Sequence, residues 1–186
     1  MLSAAVLPAR VVAAEEELKQ LFAELGARRE RQAHFVERKF SALLKTPVES
    51  SGTLIFRAPD VLEKRTEKPQ REVVRIEGST VTYEGMPNSG KHTFALSDAP
   101  QLAALIESLR ATLAGDLPAL RRHYEVSWTA PKPQQEWQLT LLPRDRTLRD
   151  AVSKIVLRGA RSDVNAVEIV EGSGDLTLLR ITPATK

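Results

Sequence analysis

The stretch from Pro47 to Pro69, P-V-E-S-S-G-T-L-I-F-R-A-P-D-V-L-E-K-R-T-E-K-P, constrains the chain more than any other. Leu54 and Phe56 alternate with Thr53, Ile55 and Arg57, the period of two that a strand requires. Ala58-Pro59-Asp60 interrupts the alternation, because proline has no amide hydrogen to give to a ladder. Val61 to Thr66 reads as the return strand, which Pro69 ends. The spacing predicts a β-hairpin over 48–67 with a Pro-Asp corner. On its own it implies an ordinary hairpin of an ordinary sheet.

The flanking sequence extends that sheet. Phe35 to Leu44 reads as a strand in which Val36, Phe40, Ala42 and Leu44 share one parity and Phe35 takes the other. Glu72–Gly78 and Thr80–Gly85 alternate around the tight turn Gly78-Ser79, and His92–Leu96 adds another strand, so 35–96 reads as an antiparallel meander of six. Before the meander, Leu18, Leu21, Phe22 and Leu25 lie on one face of a helix predicted over 15–31. After it, Leu102, Leu105, Ile106, Leu109 and Leu113 form the apolar stripe of a helix over 98–114, with Asp98 as N-cap candidate and Gly115 as its stop. Asp116 can cap a second short helix, Leu117 to about His123. Strands follow around Tyr124–Trp128, Trp137–Leu141, Ile155–Leu157, Val164–Glu171 and Leu176–Ile181, with one or two helical turns over 148–154 and a hairpin turn at Glu171–Asp175.

Composition bounds the function. A chain of 186 residues, 27% charged and 42% hydrophobic, suits one domain with a real core. The net charge of +3 is mildly basic, but nine aromatics and no stacking motif argue against nucleic acid. A weak attraction to anionic lipid headgroups is compatible with that charge. With no cysteine there is no disulfide, thiolate metal site or cysteine nucleophile. His34, His92 and His123 are scattered without ligand spacing, so no metal and no cofactor is expected. No nucleophile motif appears, and no enzymatic activity is expected. Met1 to Leu7 is a short apolar run and Val12-Ala13-Ala14 supplies small residues at a plausible cleavage point. Residues 1–14 therefore read as a signal-peptide remnant or a disordered N-terminus, and 15–186 as the single domain.

Gly85-Met-Pro-Asn-Ser-Gly90-Lys91-His92-Thr93 matches G-x-x-x-x-G-K and is similar to the phosphate loop of small GTPases. Such a loop needs a hydroxyl directly after the lysine to hold magnesium, and a helix behind it. Here His92 occupies that place and the residues after it alternate as a strand. A P-loop nucleotide hydrolase is thus a disfavoured alternative.

The wording S-G-x-L-x-F-x-x-P-D-x-L-x-x-x-T-x-x-P, from Ser51 to Pro69, resembles the early strands of the LolA family of periplasmic outer-membrane lipoprotein carriers, and most of all its divergent LolA-like branch. The likeness extends from about Leu18 to Ile181. It implies an α+β fold, a curved antiparallel half-open β-barrel whose concave face is covered by helices. It also implies a monomeric, non-catalytic periplasmic carrier. Such a carrier takes lipoprotein or lipid cargo from an inner-membrane donor to an outer-membrane acceptor.

The chain departs from the family pattern at two places, of which the second bears on mechanism. The family's F-x-Q becomes Phe35-Val36-Glu37, and the arginine that commonly precedes the corner proline and latches the lid is Ala58. The second change makes a different lipid cargo, such as a polyene-type lipid, a live alternative. The residues expected to line the apolar cavity are Leu54, Phe56 and Ala58 from the hairpin and Leu102, Leu105, Ile106 and Leu109 from the helix. The same side chains would equally serve as plain core.

Overall fold

The computed structural model describes residues 9–85, 90–129 and 136–184. Helix α1 (Ala9–Ala27) leads into strands β1 (Glu30–Phe40), β2 (Val48–Arg57), β3 (Val61–Lys68), β4 (Glu72–Glu77), β5 (Thr80–Glu84) and β6 (Lys91–Ala95). A 3-10 turn, Leu96–Asp98, precedes α2 (Pro100–Leu113) and α3 (Leu117–His123). The rest is β7 (Tyr124–Thr129), β8 (Trp137–Pro143), α4 (Arg146–Ala151), β9 (Val152–Ala160), β10 (Asp163–Glu171) and β11 (Leu176–Pro183).

All eleven strands form one antiparallel sheet in the order β6-β5-β4-β3-β2-β1-β11-β10-β9-β8-β7. The chain's two ends meet in its middle, where β1 pairs with both β2 and β11. Strands β6 and β7 form the two edges and do not pair with each other, so the curved barrel is open, and the helices cover its concave side.

Directly opposed residues of an antiparallel ladder share a face. Phe56 faces Leu62, Leu62 faces Ile76, and Ile76 faces Val81, which puts these four on one side. Ile76 and Val81 pack there with Leu96 and Ile106, and with Leu102 and Ala103 of α2. The larger core lies at the other end of the sheet. Leu18, Leu21, Phe22 and Leu25 of α1 meet Leu139, Leu141, Ile155, Leu157 and Val167 there, with Trp137 and Tyr124 beside them. Helices α1 and α2 cross closely: Gly115 lies against the Phe22 carbonyl and Gly26 with φ +75°, where a side chain would fit neither space nor backbone.

On the convex side, Glu63 is almost wholly buried and held by Arg65 and, at 3.0 Å, by Arg75. Burial pushes its carboxyl pKa up, but the hydrogen bonds from the two arginines outweigh that and leave it below the ordinary glutamate value.

Several expectations shift. The first helix begins at Ala9 rather than Glu15, so residues 9–14 are helical, and it ends at Ala27 rather than near Arg31. Residues 1–8 lie outside the described residues. Strand β1 starts five residues before Phe35 and stops at Phe40, because Glu30 to Gln32 find ladder partners in Arg57 to Ile55. Phe35, not the parity of Val36, points inward. Asp98 caps the 3-10 turn, accepting from the Ala95 amide at 3.3 Å, while α2 starts at Pro100 with Ala99 as N-cap. The turns expected over 148–154 form α4, capped by Asp145, and from Val152 the chain is already strand. Asp116 does cap α3, accepting from the Ala119 amide at 2.8 Å.

Candidate functional site

The seven predicted cavity residues divide among three environments. Leu102 and Ile106 pack on the β4–β5 core, and Leu105 and Leu109 on the larger core beneath α1. Helix α2 thus straddles both clusters. Leu54, Phe56 and Ala58 belong to neither. They sit on or beside the strip formed by β1 and β2, which the strand order places between the two cores. Phe56 is 3% exposed and Leu54 and Ala58 are half-buried.

Register fills in this strip. Leu54 lies opposite Ala33 and Lys64, and Phe56 opposite Arg31 and Leu62. Phe35, opposite Gly52, shares their face. The strip is apolar at the corner end and polar at the other. There Lys64 Nζ lies 2.8 Å from Glu37 Oε2 and 5.1 Å from the Phe35 ring centroid, and Ser50 Oγ donates to Glu37 Oε1 at 3.2 Å. Cation, carboxylate and ring thereby satisfy one another on a partly solvated surface.

The corner is held from above. Arg110 of α2 is buried, and its Nη2 donates to the Asp60 carbonyl oxygen at 2.5 Å. Its Nη1 lies 3.3 Å from Glu107 on the same helix, and its Nε has no partner. Below, the Ala58 amide donates to the Arg29 carbonyl at 2.7 Å. Arg31 ties the end of α1 to the sheet, donating to the carbonyls of Leu25 at 2.5 Å and Ser162 at 2.7 Å. Burial lowers the Arg31 pKa, a measure of how far its charge has left water.

Two pockets open elsewhere. One of about 230 Å³ is lined by Arg75, Glu77, Thr80 and Thr82 on the side away from the helices. Another of about 50 Å³ lies between α2, α3 and β7, against Ser108, Leu120 and Tyr124. None of the seven residues lines either.

Among the described residues, no three His, Cys, Asp or Glu side chains gather as a metal site. Residues 86–89 of the G-x-x-x-x-G-K stretch lie outside the described residues. Lys91 opens β6 opposite Glu84, and His92 lies opposite Tyr83, so a strand and not a helix follows the glycine.

Sequence reasoning missed Arg110 and Lys64, and noted Glu37 without its partners. Arg110 stands four residues after Ile106, squarely in the apolar stripe, and a charge at that spacing was its signal. Glu37 and Lys64 follow once Phe35 and Leu54 are set inward, because a strand repeats every second residue.

Among solved structures, the chain is similar to a LolA superfamily protein from Nitrosomonas europaea, at 11% identity over 91% of each chain with a TM-score of 0.47. It is similar to an outer membrane lipoprotein-sorting protein domain from Vibrio parahaemolyticus, at 10% identity over 92% of this chain and 94% of that one, TM-score 0.47. It also resembles the Pseudomonas aeruginosa MucA/MucB complex at 14% identity and TM-score 0.48, over 89% of this chain and 56% of that one. No curated protein matches the sequence. The sequence model described as outer membrane lipoprotein carrier protein LolA-like matches residues 8–185, which take in the Pro-Asp hairpin, all four helices and the whole of the open sheet. The chain belongs to the LolA-like family of outer membrane lipoprotein carrier proteins.

Proposed function

We propose that this protein is a periplasmic carrier that takes up the acyl chains of lipoproteins or related lipids and ferries them between the inner and outer membranes without catalysis. The family match over residues 8–185 carries the reading. In this proposal Leu54, Phe56 and Ala58 floor the acyl site, and Leu102, Leu105, Ile106 and Leu109 form the underside of a lid that α2 provides. The apolar strip between the two cores supports it, since lifting α2 from it breaks packing on both cores but no ladder of the sheet.

Magnitudes favour such a motion. Each methylene moved from water into an apolar site contributes about 0.8 kcal/mol, so ten contribute about 8 kcal/mol. Uncovering Leu102, Leu105, Ile106 and Leu109 costs up to about 1.5–3 kcal/mol each, and the acyl chain re-covers part of that surface. The Arg110–Asp60 hydrogen bond adds about 1.5–3 kcal/mol to the closed state, as a charged donor on a neutral acceptor. Closure therefore amounts to about 7.5–15 kcal/mol, which roughly ten to twenty methylenes offset and a short fatty acid does not.

The latch also keeps the second reading open. Its arginine comes from the lid and grips the corner backbone, while Ala58 supplies no side-chain donor to the cavity. A cavity without that donor suits a less polar cargo, such as a polyene-type lipid.

Two substitutions test the site. Leu54→Glu places a carboxylate where it stays partly hydrated, so the protein should fold with a near-native melting temperature and lose binding of a fluorescent fatty acid. Phe56→Glu buries the charge and should cost several kcal/mol of stability. A folded Leu54→Glu protein that binds the probe like wild type refutes the assignment of the strip.

A further inference from the structure

The loop from Ser41 to Pro47, between β1 and β2, carries the most exposed large apolar side chain among the described residues. Leu43 is 93% exposed, with Leu44 at 45% and Val48 at 48% beside it. Single exposed leucines are ordinary on a protein surface, but three clustered aliphatics at one tip are not. The tip is built by its own hydrogen bonds: the Leu44 amide donates to the Ser41 carbonyl at 3.0 Å and the Leu43 amide to Ser41 Oγ at 3.4 Å. It leaves the sheet at the end of β2 opposite the Pro-Asp corner, so it belongs to no part of the lid or floor described above.

Charge surrounds these side chains. From Arg38 to Val48 the chain has Arg38, Lys39 and Lys45 and no acid. Arg38 takes up Glu49 and Lys39 takes up Glu171, while Lys45 is exposed. Antiparallel order brings the adjacent turn 69–71 to the same end of the sheet, flanked by exposed Lys68 and Arg71; the acids at that end outside the two ion pairs are the exposed Glu67 and the partly buried Glu72 and Asp175. Among the exposed charges of this end, Arg38, Lys45, Lys68 and Arg71 outnumber Glu49 and Glu67, and aliphatic side chains at a tip with exposed cations in excess are complementary to one kind of surface: acyl chains beneath anionic headgroups.

We propose that loop 41–47 is the site at which this protein touches an anionic lipid bilayer. Leu43 and Leu44 enter the acyl boundary, and Lys45, Lys68 and Arg71 lie at the level of the headgroup phosphates. Membrane contact and cargo uptake then occupy opposite ends of β2, and the proposal stands whichever lipid the concave face carries.

Flotation of the whole chain with vesicles tests it. Wild type should float with phosphatidylglycerol–phosphatidylcholine vesicles, lose most of that binding in high salt, and float weakly with phosphatidylcholine alone. The pair Leu43→Ser/Leu44→Ser should lower vesicle affinity by about tenfold for each leucine, with an unchanged melting temperature and unchanged uptake of a fluorescent fatty acid in solution. The set Lys45→Gln/Lys68→Gln/Arg71→Gln should lower affinity for the anionic vesicles by about fivefold per charge and leave phosphatidylcholine unaffected. Wild type that ignores anionic vesicles overturns the proposal, as does a serine pair that floats like wild type. Loss of fatty-acid uptake in the serine pair would instead place these leucines in the cargo site and overturn it equally.

Discussion

Replacing Arg110 with methionine should loosen the lid without unfolding the sheet. The side chain is buried and makes one bond that bridges α2 to the hairpin corner, from Nη2 to the Asp60 carbonyl at 2.5 Å. A charged donor on a neutral acceptor contributes about 1.5–3 kcal/mol. The Glu107 contact adds nothing to closure, because both partners ride on the same helix and Glu107 is largely exposed. The unpartnered Nε works against closure, since a buried donor without an acceptor carries a desolvation cost. The net falls near the low end, about 1.4 kcal/mol, or a tenfold rise in the open population. Methionine keeps an apolar stem of similar length and leaves the Asp60 carbonyl unpaired. Hydrogen exchange should quicken about tenfold in α2 while β8 and β9 stay protected, and uptake of a fluorescent fatty acid should quicken with it. Glu107→Gln should change neither. If Arg110→Met leaves α2 exchange at the wild-type rate in a folded protein, the bond to Asp60 is not what holds the helix down.

Two further predictions follow from the packing. Gly52 sits where an added Cβ would overlap the Arg65 carbonyl oxygen of the paired strand, so Gly52→Ala should lower unfolding stability in urea by about 3 kcal/mol, and a variant as stable as wild type would contradict the β2–β3 geometry. Glu63 has a folded-state pKa below its unfolded value, so its stabilisation is complete above about pH 4.3 and is lost as pH falls through the folded-state value. Glu63→Gln should be less stable than wild type at neutral pH and lose less on acidification, and parallel acid profiles would show that the arginines do not hold the carboxylate.

Much of the sheet was legible because its alternation is dense where one face is buried. The Pro-Asp corner, the Gly78-Ser79 turn and the Leu102–Leu113 stripe each impose a geometry that few other folds satisfy. The beginnings of elements were less legible, for physical reasons. The helical start at 9–14 leaves little trace in the sequence because small apolar residues suit both a cleavage site and a helix. Glu30 to Gln32 look like helix or loop because their strand identity comes from pairing with β2, which local sequence does not record. Asp98 looked like the cap of α2 because an intervening 3-10 turn leaves no trace in the apolar period.

The candidate site was legible as a list of apolar positions but not as an arrangement. Nothing in the stripe from Leu102 to Leu109 says that alternate members pack on different cores, because that division depends on how far the sheet curves away beneath the helix. Arg110 was hidden by the habit of assigning charges to the solvated face. Its bond reaches fifty residues back along the chain, to a backbone atom, and no side-chain pattern encodes such a partner.

The central claim is that the strip under α2 takes acyl chains. The direct measurement is mass spectrometry of organic extracts from protein purified from its native envelope, beside extracts of Leu54→Glu prepared identically. Wild type should yield a lipid or lipidated peptide in near-stoichiometric amount, and the variant should yield little. Wild-type protein that is folded and free of lipid, or a variant that carries the same lipid in the same amount, would contradict the account.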